Sequence, residues 1–317
     1  KAPVPDRMMK SIFAVADPRP FFTKDQAVLA RWISESYLAF LISCLMLFLP
    51  PGYLDDERRA IKEYRRNPAA FLEKVASAPV ERAKDQIEKD DEAAELEEPR
   101  APTAAQRKAI AAIVNDLRNK SKKPVLLQGV TGSGKTEVYL QAIADIRLRG
   151  EGAIVLVPEV ALTPQLVGRF KTRFGSQVAL LHSAMNLRDR QTMWRQIQSW
   201  QIQIVLGTRS ALFAPVKNLG LIVLDEEFEF TYKQERSPKY HARDVAIRRG
   251  EIEGALVILG TATPSLESYF AAMEARYKKI ELPERIDNHP MPPVEIVDMR
   301  LERKGKKTHI LSPLLRK

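Results

Sequence analysis

Cysteine and histidine are scarce in this chain of 317 residues, which contains one cysteine, Cys44, and four histidines. A single cysteine excludes an internal disulfide, so the composition fits a reducing compartment. One cysteine and four histidines also offer no spacing typical of a structural zinc site. The sequence therefore argues against disulfide-stabilised and zinc-bound architectures within these residues.

Long apolar segments are also absent. A near-continuous apolar run of 13 residues begins at Tyr37 and stops at Pro50 and Pro51. A membrane-spanning helix needs about 20 apolar residues, and the run is not placed at the N-terminus as a signal peptide would be. We therefore predict a buried helix that ends at these prolines and no membrane partner. Repeats and low-complexity tracts are absent too.

Basic residues outnumber acidic ones by 50 to 40, which gives a formal net charge of +10. Such a balance favours a polyanionic partner, nucleic acid before membrane, although a solvated basic surface is the alternative. Apolar residues make up 45% of the chain, enough for packed cores. A chain of this length is expected to form about two domains.

The composition and the predicted secondary structure change along the chain. Residues 1–84 are predicted to be mostly helical, with Thr23 as an N-cap. Residues 85–101 are acidic and are predicted to be a solvated linker, with a charged exposed helix as the alternative. After residue 102, short apolar strands alternate with amphipathic helices. This alternation predicts an α/β fold with a mainly parallel sheet, in which ligands bind at the carboxyl ends of the strands.

The segment "GVTGSGKT" matches the phosphate-loop pattern between a predicted strand and a predicted helix. Its backbone N–H groups and the helix N-terminus would bind phosphates. Lys135 would neutralise the β- and γ-phosphates and Thr136 would ligate Mg²⁺. A fortuitous glycine turn is the alternative. The predicted nucleotide-binding residues of the loop are Gly129, Val130, Thr131, Gly132, Ser133, Gly134, Lys135 and Thr136.

A second predicted strand, residues 219–224, ends in the three acids Asp225, Glu226 and Glu227. Beside a phosphate loop, this arrangement is typical of a Walker pair. Asp225 would hold Mg²⁺ and Glu226 would polarise the attacking water. A helix cap or an exposed acid cluster is the alternative. The two motifs together predict hydrolysis of ATP with Mg²⁺, with Lys135, Asp225 and Glu226 as the catalytic residues.

Further motifs follow in a fixed order: "PTAAQ", "GVTGSGKTEVYL", "LVPEVALTPQ", "GTRSALF", "DEE", "YKQERSPKYHAR" and "LGTATPS". Over nearly all of residues 102–300 the chain resembles the primosomal protein N′ family, the PriA-type replication-restart DNA helicases of superfamily 2. The resemblance implies a RecA-like ATP-binding lobe over residues 102–290 and the start of a second lobe over 291–317. Residues 1–84 resemble a shortened winged-helix region.

The resemblance also implies roles for single residues. Gln106 would read the adenine edge. Tyr232 and Tyr240, in a loop that resembles an aromatic-rich DNA-binding loop, would stack on bases. An ordinary solvated loop is the alternative. The cations of that loop expected to face phosphates are Lys233, Lys239 and Arg243. The other residues expected along the DNA strand are Pro158, Thr163, Gln165, Thr208 and Arg209.

Three residues are expected to couple ATP turnover to DNA contacts: Phe228, Thr261 and Thr263. The family usually has histidine where this chain has Phe228. Phenylalanine cannot make the hydrogen-bonded bridge that an imidazole makes from the nucleotide site to the "TATPS" motif. We expect loosely coupled ATP turnover; in the alternative, another polar residue makes the bridge.

For the whole protein the resemblance implies ATP-dependent 3′→5′ DNA unwinding at stalled or repaired forks, in the cytoplasm and associated with the nucleoid. The implied partners are forked and junction DNA, single-strand-binding protein and primosome proteins. The family's second lobe and zinc-binding insertion are not apparent, and its N-terminal domain for 3′ DNA ends is missing or present only as its last residues. We therefore expect a fragment that is weakly active alone. The alternatives are another superfamily 2 translocase, or a nucleotide-gated module that binds forks without unwinding them.

Overall fold

The computed structural model describes residues 22–49, 66, 101–286, 295–298 and 315. Nearly all of the predicted acidic linker and most of the predicted start of a second lobe lie outside these residues. The proposed boundaries between the segments therefore stay predictions.

A parallel sheet forms the centre of the described chain. Its strands are β1 (Val125–Gly129), β2 (Gly152–Leu156), β3 (Val178–Leu181), β4 (Ile204–Gly207), β5 (Leu219–Asp225), β6 (Leu256–Thr261) and β7 (Lys278–Leu282). They lie in the order β3-β4-β2-β5-β6-β1-β7, and every neighbouring pair is parallel. The predicted RecA-like α/β fold is confirmed.

Helices cover both faces of the sheet. They are α1 (Lys24–Ser36), α2 (Leu41–Leu45), α3 (Ala104–Arg118), α4 (Lys135–Leu148), α5 (Pro164–Phe174), α6 (Leu187–Gln198), α7 (Ala242–Glu253) and α8 (Leu266–Met273). Local signals fix several of their ends. Thr103 begins α3 through a capping box with Gln106, and Thr163 caps α5, which has Pro164 in its first turn.

The strands other than β7 are apolar on both sides because each face of the sheet contacts a separate core. On β5, Ile222 and Leu224 belong to the core beneath α1 and α7, while Leu221 and Val223 belong to the core beneath α3 and α4. Continuous burial of this kind explains the uninterrupted apolar runs in the sequence.

The topology brings three strand ends together. β6 lies between β5 and β1, so the carboxyl ends of these three strands are neighbours at one edge of the sheet. Asp225 ends β5, Thr261 ends β6 and Gly129 ends β1. The two acids, the "TATPS" motif and the phosphate loop, which are far apart in sequence, therefore meet at this edge.

The N-terminal helix α1 packs against the α/β lobe. Thr23 caps it as predicted, with a capping box to Gln26. At its C-terminal end the Tyr37 hydroxyl accepts a hydrogen bond from the His241 N–H at 3.2 Å and donates one to Asp244 Oδ2 at 3.3 Å. Both partners lie at the start of α7, so the contact joins the N-terminal segment to the lobe.

The prediction of one continuous buried helix after Tyr37 was wrong. Leu38 has a left-handed φ of 48°, and the helical part is only α2 followed by a 3₁₀ turn, Met46–Phe48. Phe48 packs edge-on against Phe213, while Leu38 and Phe40 are exposed. In the described ranges, no helix is long and apolar enough to cross a bilayer.

Candidate active site

The glycine-rich loop joins the end of β1 to the start of α4. Gly132 and Gly134 have φ angles of 82° and 79°, in the left-handed region that glycine adopts at no steric cost. A Cβ on Gly134 would also collide with the side-chain amide of Gln106. The loop therefore curls over the N-terminus of α4, an arrangement that offers backbone N–H groups to a phosphate.

Lys135, the first residue of α4, lies almost completely inside this loop. Its ammonium group donates a hydrogen bond to the Gly129 carbonyl at 3.2 Å and is 3.4 Å from Oε1 of Glu226. Thr136 follows in the first turn of α4 and is partly exposed. The predicted phosphate-binding cation and the predicted Mg²⁺ ligand therefore lie side by side.

The Gln106 side chain makes two hydrogen bonds inside the protein. Its side-chain oxygen accepts a hydrogen bond from the Thr103 N–H at 2.8 Å, and its side-chain nitrogen donates to the Ser133 carbonyl at 2.9 Å. Both ends of the buried amide are engaged inside the protein. In this structure Gln106 therefore ties α3 to the phosphate loop, and its role in reading an adenine edge stays a prediction.

The two predicted Walker acids face the loop. The Tyr139 hydroxyl donates a hydrogen bond to Oδ1 of Asp225 at 2.9 Å. Glu226 has a left-handed φ of 48°, and its carboxylate faces Lys135. Burial raises the pKa of the Asp225 carboxyl above its ordinary value, opposed by the hydrogen bond from Tyr139. The structure thus brings Lys135, Asp225 and Glu226 together, and their catalytic roles stay a prediction.

The residues around Asp225 fit a magnesium–nucleotide complex better than a metal site built from protein ligands alone. No set of three or more His, Cys, Asp or Glu side chains within the described residues could hold a metal ion. Mg²⁺ in nucleotide sites is usually held by one or two protein oxygens together with substrate phosphates. Asp225 and the Thr136 hydroxyl provide such a donor pair at the mouth of the phosphate loop.

Glu227, the third acid of the run, is a structural link that the sequence interpretation missed. Its carboxylate is completely buried. It accepts hydrogen bonds from the Ser265 N–H at 2.7 Å, the Ser265 hydroxyl at 3.1 Å and the Ser268 hydroxyl at 2.9 Å. Arg243 Nη1 lies 3.6 Å from the same carboxylate. Glu227 therefore joins the end of β5 to the N-terminus of α8, just after the "TATPS" motif.

The "TATPS" motif at the end of β6 contains a hydrogen bond between one of its side chains and its own main chain. Thr261 is buried, and its hydroxyl accepts a hydrogen bond from the Thr263 N–H at 3.1 Å. Thr263 is exposed, and Phe228 is 46% exposed. The contacts of Glu227 favour the alternative in which a polar residue other than residue 228 bridges the two motifs, and we propose that alternative in place of the loose coupling expected from Phe228.

The residues expected along DNA beyond the aromatic loop lie past the carboxyl ends of β2 and β4. Thr163 and Gln165 are exposed, whereas Pro158 and Thr208 are buried and can offer little more than backbone groups. Arg209 donates hydrogen bonds from Nη1 to the main-chain carbonyls of Thr231 and Lys233. In this structure Arg209 therefore holds the loop after β5 in place.

The structure also corrects the stacking roles of Tyr232 and Tyr240. Both rings are 1% exposed and belong to the core beneath α1 and α7. The Tyr232 hydroxyl donates to the main-chain carbonyls of Asp225 and Leu156, and Tyr240 packs edge-on against Phe213. Neither ring can meet a base in this structure. The exposed phenylalanines directly after β5 are Phe228 and Phe230, and Phe230 is the more exposed of the two at 81%.

The cations of this loop divide into two groups. Arg243 is nearly buried and is engaged with Glu227, Asp244 and the Ser265 hydroxyl, and its role in binding phosphates stays a prediction. Lys233 is exposed, although its ammonium donates to the Lys239 carbonyl at 3.0 Å and lies over the Tyr37 ring. The cations that the loop presents to solvent are Lys233, Arg236 and Lys239.

The chain matches the family model for DEAD/DEAH box helicases over residues 103–270. That stretch contains the phosphate loop, the three acids and the "TATPS" motif. The chain belongs to the DEAD/DEAH box helicase family. The ATP-binding character inferred from the phosphate loop agrees with this assignment.

Residues 1–50 of this helicase-family chain match a second model, described as the 3′DNA-binding domain. We expected that domain to be missing or present only in its last residues, and the match supports the presence of part of it. The winged-helix-like character of residues 1–84 stays a prediction.

Curated relatives carry the same resemblance. The chain is 48% identical over 221 residues to the replication restart protein PriA of Bacillus subtilis, which covers 69% of this chain and 28% of the relative. It is 52% identical over 196 residues to PriA of Synechocystis, with 60% and 24% covered. PriA of Rickettsia prowazekii is 33% identical over 309 residues, with 98% and 43% covered. The resemblance to PriA-type helicases is confirmed, and the chain spans between 24% and 43% of these relatives.

Proposed function

We propose that this chain is the ATP-binding motor lobe of a replication-restart DNA helicase that translocates 3′→5′ and opens DNA at forks. The observation that carries the proposal is the meeting of three strand ends at one edge of the sheet. There the phosphate loop, the Walker acids and the "TATPS" motif are neighbours.

At the nucleotide end of this edge, Lys135 would neutralise the β- and γ-phosphates of a bound nucleotide, and Thr136 and Asp225 would hold its Mg²⁺. A bound Mg²⁺ would supply positive charge against the phosphate oxygens. Glu226 accepts a proton from the attacking water. Its carboxylate, 3.4 Å from the Lys135 ammonium, is already aimed into the loop.

Glu227 connects that chemistry to the DNA side of the lobe. Its backbone N–H donates to the Gly260 carbonyl at 3.0 Å, and its carboxylate is bonded to the cap of α8. A displacement of the Walker acids is therefore passed directly to residues 261–265. A buried carboxylate with three hydrogen-bond donors and an arginine beside it forms a stiff connection, because each lost bond leaves a charged group unsatisfied.

We place single-stranded DNA along the carboxyl edge of the sheet, over the exposed side chains of Thr163 and Gln165. In the loop after β5, Phe230 takes the stacking role first assigned to the tyrosines, and the exposed cations Lys233, Arg236 and Lys239 face phosphates. Single-strand-binding protein and primosome proteins are the proposed protein partners, in the cytoplasm at the nucleoid.

Strand-displacement assays test this function. The intact protein, ATP and Mg²⁺ are supplied with two partial duplexes that differ only in whether the single-stranded tail is 3′ or 5′. We expect ATP-dependent opening of the duplex with the 3′ tail and of forks. Opening of the 5′-tailed duplex alone would overturn the polarity, and ATP-dependent binding without opening would favour a fork-binding module.

A further inference from the structure

Tyr139 lies completely inside the protein on α4, three residues after Thr136. Residues three apart on a helix lie on the same side, one turn from each other. The Tyr139 hydroxyl donates to Oδ1 of Asp225 at 2.9 Å. The helix that carries the expected Mg²⁺ ligand Thr136 therefore also contacts the carboxylate of the other expected ligand.

The end of β6 is shaped to admit this hydroxyl. A Cβ on Gly260 would occupy the position of the Tyr139 hydroxyl and would lie 3.3 Å from Oδ1 of Asp225. Glycine at this position thus makes room for the phenol between two strands. The hydrogen bond is a packed feature of the fold and does not depend on a mobile side chain.

Burial is the main reason that the pKa of Tyr139 is well above its ordinary value, and the Asp225 charge raises it further. In the contact with Asp225 the Tyr139 hydroxyl is the donor and Oδ1 is the acceptor. Because Oδ1 of Asp225 accepts a hydrogen bond from that hydroxyl, the contact restrains the orientation of the carboxylate and leaves Oδ2 for a cation. Hydrogen bonds from outside the ligand shell commonly orient metal ligands in this way.

We infer that Tyr139 is a positioning residue for the divalent cation of the bound nucleotide, acting through Asp225. The inference rests on the proposed function, because it requires that Asp225 binds the cation of a magnesium–nucleotide complex. It assigns to Tyr139 a role that is separate from filling the core.

Tyr232 provides a matched control within the same site. It is equally buried, and its hydroxyl also donates to Asp225, but to the main-chain carbonyl at 2.7 Å. Tyr232→Phe therefore removes a buried hydroxyl next to Asp225 without freeing the carboxylate. Loss of stability should be similar in the two variants, whereas loss of cation binding should be specific to Tyr139→Phe.

The experiment measures binding of a fluorescent ADP analogue to the intact wild-type protein, Tyr139→Phe and Tyr232→Phe while Mg²⁺ is titrated. We expect Tyr139→Phe to raise the Mg²⁺ concentration for half-maximal binding about tenfold, and Tyr232→Phe to change it less than about twofold. Thermal unfolding of both variants is measured in parallel.

An unchanged Mg²⁺ requirement in Tyr139→Phe, or equal shifts in both variants, would overturn the inference and leave the proposed function intact. Wild-type protein that binds the analogue without any need for Mg²⁺ would overturn the inference together with the proposed cation site. A tenfold shift confined to Tyr139→Phe supports it.

Discussion

The carboxylate of Glu227 accepts a hydrogen bond from the Ser265 N–H at 2.7 Å, 38 positions further along the chain. This contact closes the gap between the strand that ends in the Walker acids and the helix that follows the "TATPS" motif. We propose that this contact transmits the changes of ATP turnover from the nucleotide site to the DNA-facing residues.

We expect Glu227→Gln to reduce the coupling of ATP hydrolysis to DNA unwinding more than it reduces the stability of the fold. The substitution keeps the shape but replaces an acceptor oxygen by an N–H₂ group that faces the donors of Ser265 and Ser268, at a cost of about 1–3 kcal/mol. We expect fewer base pairs opened per ATP hydrolysed. The measurement follows ATP hydrolysis and strand separation on the same forked substrate.

Glu253→Gln is the matched control for that measurement. Glu253 pairs with the buried Arg249 at 2.7 Å on α7, so its loss also disturbs a partly buried ion pair. Its hydrogen-bond partner is Arg249 of the same helix and not a residue of 261–265. An equal fall in base pairs per ATP for both variants would show that general destabilisation, and not the Glu227 link, is responsible.

Phe228→His tests whether the unusual phenylalanine loosens coupling. Because Glu227 already makes the bridge and Phe228 is 46% exposed, we expect the base pairs opened per ATP to stay unchanged. ATP hydrolysis and strand separation are again measured on the same forked substrate. A clear increase in the ratio would instead support loose coupling in the wild-type protein.

Phe230→Ala should weaken binding to single-stranded DNA by about 1–3 kcal/mol if the ring stacks on a base. Phe270→Ala, which removes an exposed phenylalanine on α8, is the control. Affinity is measured by fluorescence anisotropy with a labelled oligonucleotide at fixed salt. Equal affinities of wild type and Phe230→Ala would remove this residue from the DNA path.

The sequence was sufficient to predict the fold and the meeting of the phosphate loop with the acids after β5, because those features are local or periodic. The phosphate loop shows its glycines and lysine in one short segment, and β5 shows its buried run ending in acids. The alternation of strands and helices identifies a parallel sheet, whose carboxyl ends must share one edge.

Prediction from the sequence failed for side chains whose residue type is common both in a protein core and in an exposed DNA-binding loop. Tyr232 and Tyr240 are aromatic residues in a basic loop, a pattern typical of stacking, yet both rings are buried in the core. Arg243 follows the same loop but contacts Glu227. Only the packing of distant elements decides such cases. Two features of the sequence could have predicted the Glu227 link. A third acid follows the two Walker acids, and serines follow "TATP".

The most direct test of the central claim is DNA-stimulated ATP hydrolysis by the intact protein with Lys135→Ala. Lys135 is the cation enclosed by the phosphate loop, 3.4 Å from Glu226. Lys122→Ala, which removes an exposed lysine before β1, is the control. We predict that single-stranded DNA stimulates hydrolysis in wild type and Lys122→Ala, and that Lys135→Ala loses hydrolysis at least about a hundredfold, since a preorganised charge on the transferred phosphate is worth several kcal/mol. Undiminished DNA-stimulated hydrolysis in Lys135→Ala would contradict the account.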